Sequence, residues 1–186
     1  MSSGGARLTE VSTPRAQMPA KFFPLSHLRR LRKCEQVAAV CYQIRRGAIE
    51  FLLVRTNSGH WTFPTGSTEP GLTHAQAAAL EAFEEAGVHG RMEEASFTQY
   101  VRRKRASASG KSEKDLIVSA HLCEVTRRCQ PQEPNRDPTW FPVEKAKHRL
   151  AQGRTPDFAA QLARVVDRAV TRIQRQRLAN LTDTNP

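Results

Sequence analysis

The stretch from Trp61 to Val88 leaves the chain few choices, because it marks both ends of one helix and the loop in front of it. Thr73 is a good N-cap, Gln76 three residues on completes a capping-box pattern, AQAAALEAFEEA propagates a helix, and Gly87 stops it. A helix over 74–86 follows. Glu81, Glu84 and Glu85 share one face of its last turns. Like charges at this spacing repel by about 0.2 to 0.5 kcal/mol per pair, and anions at a helix C-terminus oppose its dipole by about 0.3 to 1 kcal/mol. Local rules broken in this way point to a functional site, in this case to a divalent cation that offsets the repulsion. The alternative is a solvated acidic face on an otherwise basic protein.

Around this segment the pattern is strand and helix in alternation. Val37 to Ile44 is apolar and β-branched, Arg45-Arg46-Gly47 makes a turn, and Ala48 to Arg55 reads as the hairpin partner. Strands are expected near Phe97 to Arg103, Leu116 to Val125 and Trp140-Phe141, with a polar gap at 107–114 and a proline-bearing loop at 127–138. A helix near 143–152 comes next. Thr155 and Pro156 then open a last helix in which Phe158, Leu162, Val165, Val166, Ala169 and Ile173 repeat at helical spacing. The order implies an α/β domain with a mixed sheet. The boundaries expected are a basic tail at 1–33, a domain at 34–178 and a short tail at 179–186.

From Phe63 to Val88 the chain resembles the Nudix hydrolase signature, G-x5-E-x7-R-E-U-x-E-E-x-G-U with U aliphatic. Gly66, Glu81, Glu84, Glu85, Gly87 and Val88 fall in register, and Ala82 fills the first aliphatic place. Leu72 stands where the family has its first Glu, and Leu80 where it has Arg. In the family these two are expected to pair and brace the loop against the helix, so their joint loss exchanges an ion pair for an apolar contact and puts the rate, rather than the fold, in question. Glu69, on the same loop, is either a substitute for the missing acid or an ordinary residue of the turn before Pro70-Gly71.

The resemblance implies a Nudix fold, a mixed sheet sandwiched between helices, over roughly 37–170, in the order of the branch similar to diphosphoinositol polyphosphate and diadenosine polyphosphate phosphohydrolases. It also implies that Glu81, Glu85 and the Gly66 carbonyl hold Mg²⁺ or Mn²⁺ and that Glu84 is a further ligand or the base that activates water. The expected activity is hydrolysis of a phosphoanhydride in a nucleoside diphosphate derivative, a dinucleoside polyphosphate or a diphosphoinositol polyphosphate. Arg102, Arg103, Lys104 and Arg105 are the candidates to meet the remaining phosphates, helped by Lys111 and Lys114. Alternation along a strand turns only about half of such a run toward one face. The same run also reads as a solvated basic edge that discourages strand pairing.

Composition narrows partners less than chemistry does. With 29 Lys and Arg against 18 Asp and Glu the net charge is +11, which attracts polyanions without choosing among nucleotides, inositol phosphates, nucleic acids or anionic surfaces. The excess is concentrated in Arg7, Arg15, Lys21, Arg29, Arg30, Arg32 and Lys33 against the single acid Glu10, a segment that reads as a basic tail or as an organelle transit peptide. No apolar run reaches the roughly 20 residues needed to span a bilayer, so a cytoplasmic protein is expected. Cys34, Cys41, Cys123 and Cys129 have no CxxC spacing and read as free thiols, and the histidines form no HExxH motif, so zinc is not implied. Gly110-Lys111-Ser112 lacks the glycine a P-loop needs at position 105. The competing function is a Nudix-fold binding or regulatory protein, weakened in catalysis by Leu72 and Leu80, that holds RNA or another polyanion on its basic surface. Against a general RNA role, no aromatic residue interleaves with Arg102 to Arg105, so a stacking platform is not evident.

Overall fold

The computed structural model describes residues 35–104 and 114–182. Strand β1 (Glu35–Arg45) turns through Arg46 and Gly47, both at positive φ, into β2 (Ala48–Arg55), the two-residue hairpin geometry that matches strand twist. Two short strands follow, β3 (Trp61–Thr62) and β4 (Thr65–Ser67), then helix α1 (His74–Ala86). Beyond it lie β5 (Val88–Met92), β6 (Thr98–Lys104), β7 (Lys114–Arg128) and β8 (Thr139–Pro142). Helices α2 (Val143–Ala151) and α3 (Pro156–Thr182) close the chain.

The sheet runs β3-β2-β1-β7-β5, with β4 added to β1, β6 to β7 and β8 to β2. Among the described strands only β1 and β7 run parallel, and the other pairings are antiparallel. Both faces are covered, and this explains why β1 reads as a continuous apolar run: Val37 to Tyr42 are all buried. Ala38, Val40, Tyr42, Phe51 and Leu53 pack with Leu150, Leu162, Val166 and Ile173 of α2 and α3. Val37, Ala39, Cys41, Leu52 and Val54 pack on the opposite face against Ala77, Ala78 and Ala82 of α1. Each fully buried Leu or Phe contributes about 1.5 to 3 kcal/mol, so the larger side chains on the α2 and α3 face supply most of the apolar stabilisation. The alanines on α1 instead let that helix approach the sheet closely.

Three elements differ from the sequence expectation. β5, in VHGRM, carries no strand pattern and forms because the long β7 offers its C-terminal half as a template, with a bulge between His89 and Gly90. β7 is correspondingly longer than its apolar stretch. α3 continues through Thr182, past the expected end of the domain at 178. The basic segment 1–33 and Cys34 lie outside the described residues, as do Arg105 and Lys111. Among the described residues, Cys41 and Cys123 are free and buried and Cys129 is free and exposed. No helix among them is long and apolar enough to cross a membrane.

Candidate active site

Helix α1 has the capping box its sequence announces: Thr73 accepts from the Gln76 backbone N–H at 3.2 Å, and the Gln76 side chain accepts from the Thr73 N–H at 2.9 Å. At the other end Gly87 takes the left-handed conformation (φ 63°, ψ 39°) and donates to the Ala82 and Phe83 carbonyls. The β7–β8 loop docks on this end. Cys129 N–H donates to Gly87 O at 2.7 Å, and the Gln132 and Glu133 N–H groups both donate to Glu84 O at 2.9 Å, satisfying carbonyls that a helix end leaves without partners. A Cβ at position 87 would lie 2.3 Å from Cys129 O, so the loop seats there only because residue 87 is glycine.

β4 pairs with the start of β1, Gly66 opposite Val37, and this brings the loop alongside the acidic turns of α1. Glu81 lies directly over Gly66: a Cβ there would fall 1.5 Å from Glu81 Oε1. Glu85 is buried, with 3% of its surface exposed. Its Oε2 accepts from Thr65 N–H at 3.1 Å, and its Oε1 lies 2.7 Å from Arg136 Nη2. Arg136 also meets Glu133, Nη2 to Oε2 at 2.6 Å and Nε to Oε2 at 2.7 Å. The expected trio of Gly66, Glu81 and Glu85 is therefore brought together, with Glu84 half-buried beside it.

The electrostatics follow from crowding. Burial pushes the Glu81 carboxyl up to about 7, the charges of Glu84, Glu133 and Glu69 push the same way, and Arg136 opposes them. Burial likewise raises Glu85 to about 7, against the lowering by Arg136 and the Thr65 N–H. Carboxylate oxygens short of positive charge, with a glycine cradle beneath one of them, suit a hard divalent cation in donor chemistry. With the side chains as they stand, no group of three or more His, Cys, Asp or Glu converges to hold a metal ion among the described residues. Each Glu85 oxygen already accepts a donor, from Arg136 or from Thr65.

The expected phosphate ligands divide. Arg103 is exposed, paired in register with Asp115 and 3.4 Å from it. Arg102 follows the alternation of Tyr100, which packs on the α2 and α3 face. Burial pushes the Tyr100 hydroxyl up to about 12, and the Thr65 side chain, Arg102 and Arg154 lie close enough to pull the other way. Arg154, between α2 and α3, donates to Trp61 O at 2.7 Å and lies over the Phe158 ring at 4.9 Å. Its Nε is buried without a hydrogen-bond partner. Leu72 is 38% exposed, so the loop leucine does not bury its side chain in exchange for the absent acid.

Sequence reasoning missed Arg136, Glu133, Thr65, Tyr100 and Arg154. Arg136 sits in QPQEPNRDP, where no periodicity assigns a direction to any side chain. The one available signal was an imbalance: three clustered glutamates with no Lys or Arg on their own helix require a cation from elsewhere.

A mixed sheet between helices, with a glycine loop under the carboxylates of one helix, is the architecture of a class that other proteins share. A profile of the NUDIX domain matches residues 35–162, and the chain belongs to the Nudix hydrolase family. It is 51% identical over 43 residues to the bis(5'-nucleosyl)-tetraphosphatase (asymmetrical) of Sus scrofa, an alignment covering 22% of this chain and 29% of that protein. Among solved structures it is similar to the Ap4A hydrolase of C. elegans, with a TM-score of 0.54 and 23% identity over 75% of this chain and 98% of that one. It also resembles the NUDIX domain of Shewanella oneidensis NrtR complexed with ADP ribose, with a TM-score of 0.57 and 18% identity over 85% and 94% of the two chains. These likenesses establish the α/β Nudix fold.

Proposed function

We propose that the protein is a Mg²⁺- or Mn²⁺-dependent pyrophosphohydrolase of phosphate-rich small molecules. The observation that carries this reading is the seating of Glu81 over Gly66 while Glu85 is held by Thr65, with the signature in register from Gly66 to Val88. Glu81, Glu85 and the Gly66 carbonyl are the residues to hold the cation, after Glu85 exchanges part of its contact with Arg136. When bound, the cation neutralises the phosphoanhydride oxygens and lowers the pKa of attacking water. Glu84, half-buried beside Glu81, takes the proton as water adds to phosphorus and the bridging P–O bond breaks. Arg102, with Arg154 near it, is the better-placed phosphate ligand; Arg103 is already paired with Asp115. The relatives' names make dinucleoside polyphosphates and ADP-ribose the first substrates to try, with diphosphoinositol polyphosphates beside them. The site works in the cytoplasm under this reading, on a domain expected at 34–178 whose last helix runs on to Thr182, with a basic tail at 1–33.

The test is release of phosphate or nucleotide from diadenosine polyphosphates, ADP-ribose, nucleoside triphosphates and diphosphoinositol phosphates with Mg²⁺, Mn²⁺ or chelator. Metal-dependent turnover of one class is expected, and its loss in Glu84→Gln and in Glu85→Gln. Full activity in both variants with the same metal requirement overturns the mechanism.

A second reading has its own observation: Arg136 already neutralises Glu85, as a protein cation would in a site given over to binding. A Nudix-fold binder of RNA or another polyanion would show no turnover in the same panel and salt-sensitive affinity.

A further inference from the structure

We infer that Arg136 is a positioning residue of this site, supplied by the β7–β8 loop to hold Glu85 in the orientation a divalent cation needs, because helix α1 carries no Lys or Arg of its own. The inference rests on the hydrolase reading above. Position 80, where the signature has its arginine, is a leucine, and the one basic residue of α1, His74, lies 3.5 Å from Glu35 at the far end of the helix. Glu85 without a cationic partner would be a buried carboxylate held by one N–H and free to rotate about it.

Arg136 is built to prevent this. Its side chain is 20% exposed and its planar fork spans two carboxylates, Glu85 on one side and Glu133 on the other, a geometry an ammonium cannot reproduce. The backbone that carries it is fixed at both ends. Glu133 N–H is bonded to Glu84 O at 2.9 Å, and Arg136 O accepts from Arg55 N–H at 2.5 Å. Asn135 and Asp137, on either side of Arg136, have φ of 69° and 48°, a left-handed conformation that costs non-glycine residues energy and makes the sharp double bend that aims the guanidinium inward. Arg55 Nε then holds Asp137 at 3.1 Å. The loop, helix end and carboxylate form one unit, so Glu85 presents its remaining lone pairs in one direction.

The test compares the full-length protein with Arg136→Ala, Arg136→Lys and Glu133→Gln. Mn²⁺ affinity is read from the EPR signal of free Mn²⁺, hydrolysis from kcat/KM on the substrate class found, and folding from thermal unfolding in chelator. Arg136→Ala should weaken Mn²⁺ binding and lower kcat/KM by about 10- to 100-fold, as loss of a partner that orients a ligand does. Arg136→Lys should recover only part of this, and Glu133→Gln should move both readouts the same way by less. Values for Arg136→Ala within about twofold of wild type, or tighter Mn²⁺ binding, would overturn the inference, the latter showing that Arg136 competes for the cation's place. If Arg136→Ala does not fold, Arg136→Lys and Glu133→Gln decide by the same criteria. A wild-type protein that neither binds Mn²⁺ nor turns over any substrate refutes the hydrolase reading itself; a working wild type matched by its variants refutes only the role of Arg136.

Discussion

Glu81 lies so close over Gly66 that a Cβ at position 66 would fall 1.5 Å from its Oε1, which makes the loop glycine and the helix carboxylate one structural element. Gly66 is outside the left-handed region, so alanine suits its backbone and meets only the far end of a flexible side chain. Gly66→Ala should therefore fold with a melting temperature near that of wild type yet lose about 100-fold or more in kcat/KM as Glu81 is displaced. Comparing melting curves with steady-state turnover checks this, and unchanged turnover would separate Glu81 from the chemistry.

Gly87 makes the opposite case. Its φ of 63° disfavours a side chain, and its missing Cβ leaves room for Cys129 O and Pro131 N, which are backbone atoms of a docked loop. Gly87→Ala should cost about 2 to 4 kcal/mol, from left-handed strain together with displacement of that loop. Urea unfolding measures it; a loss below about 1 kcal/mol would mean that the loop reseats freely.

The contrast between these two glycines shows what the sequence exposes. Helix α1 was legible to the residue, because Thr73, Gln76 and Gly87 act on neighbours within one turn. The hairpin and α3 were legible for the same reason, through a two-residue turn and a sustained 3.6-residue period. β5 was not, since VHGRM becomes a strand only through β7, more than thirty residues on in the pairing of His89 with Arg127. The site divides along that line. Glu81, Glu84 and Glu85 share a helix face set by local geometry, whereas Arg136, which neutralises one of them, arrives from a loop whose path is fixed by hydrogen bonds to Glu84 and Arg55. Arg102 and Arg103 were legible as a basic run, but only the strand register shows that one joins Tyr100 and the other Asp115.

The crowded carboxylates give a pH dependence with a definite sign. Glu81 and Glu85 ionise near 7 in the folded protein and near 4.5 as free side chains. Between those values the native state binds more protons than the unfolded one, so stability must fall as pH rises from about 4.5 to about 7 and level off above. In chelator, urea midpoints taken across this window should decline, and Glu81→Gln should flatten part of the slope. A rise over the same window would show that the pair with Arg136 outweighs burial and depresses Glu85 instead.

Restoring the two departures from the signature tests whether the site was weakened or rebuilt. Leu72 is exposed, so Leu72→Glu removes no packing from either core cluster and should leave stability unchanged. If Arg136 already orients Glu85 from the β7–β8 loop, the double variant Leu72→Glu with Leu80→Arg gains little, about threefold or less in kcat/KM, because the task that an outer partner performs is filled. The gain should become larger when the same pair is placed in Arg136→Lys, where that task is open. A rise of about 10-fold or more in the otherwise unchanged protein would instead show that the lost pair limits the rate and that Arg136 does not replace it.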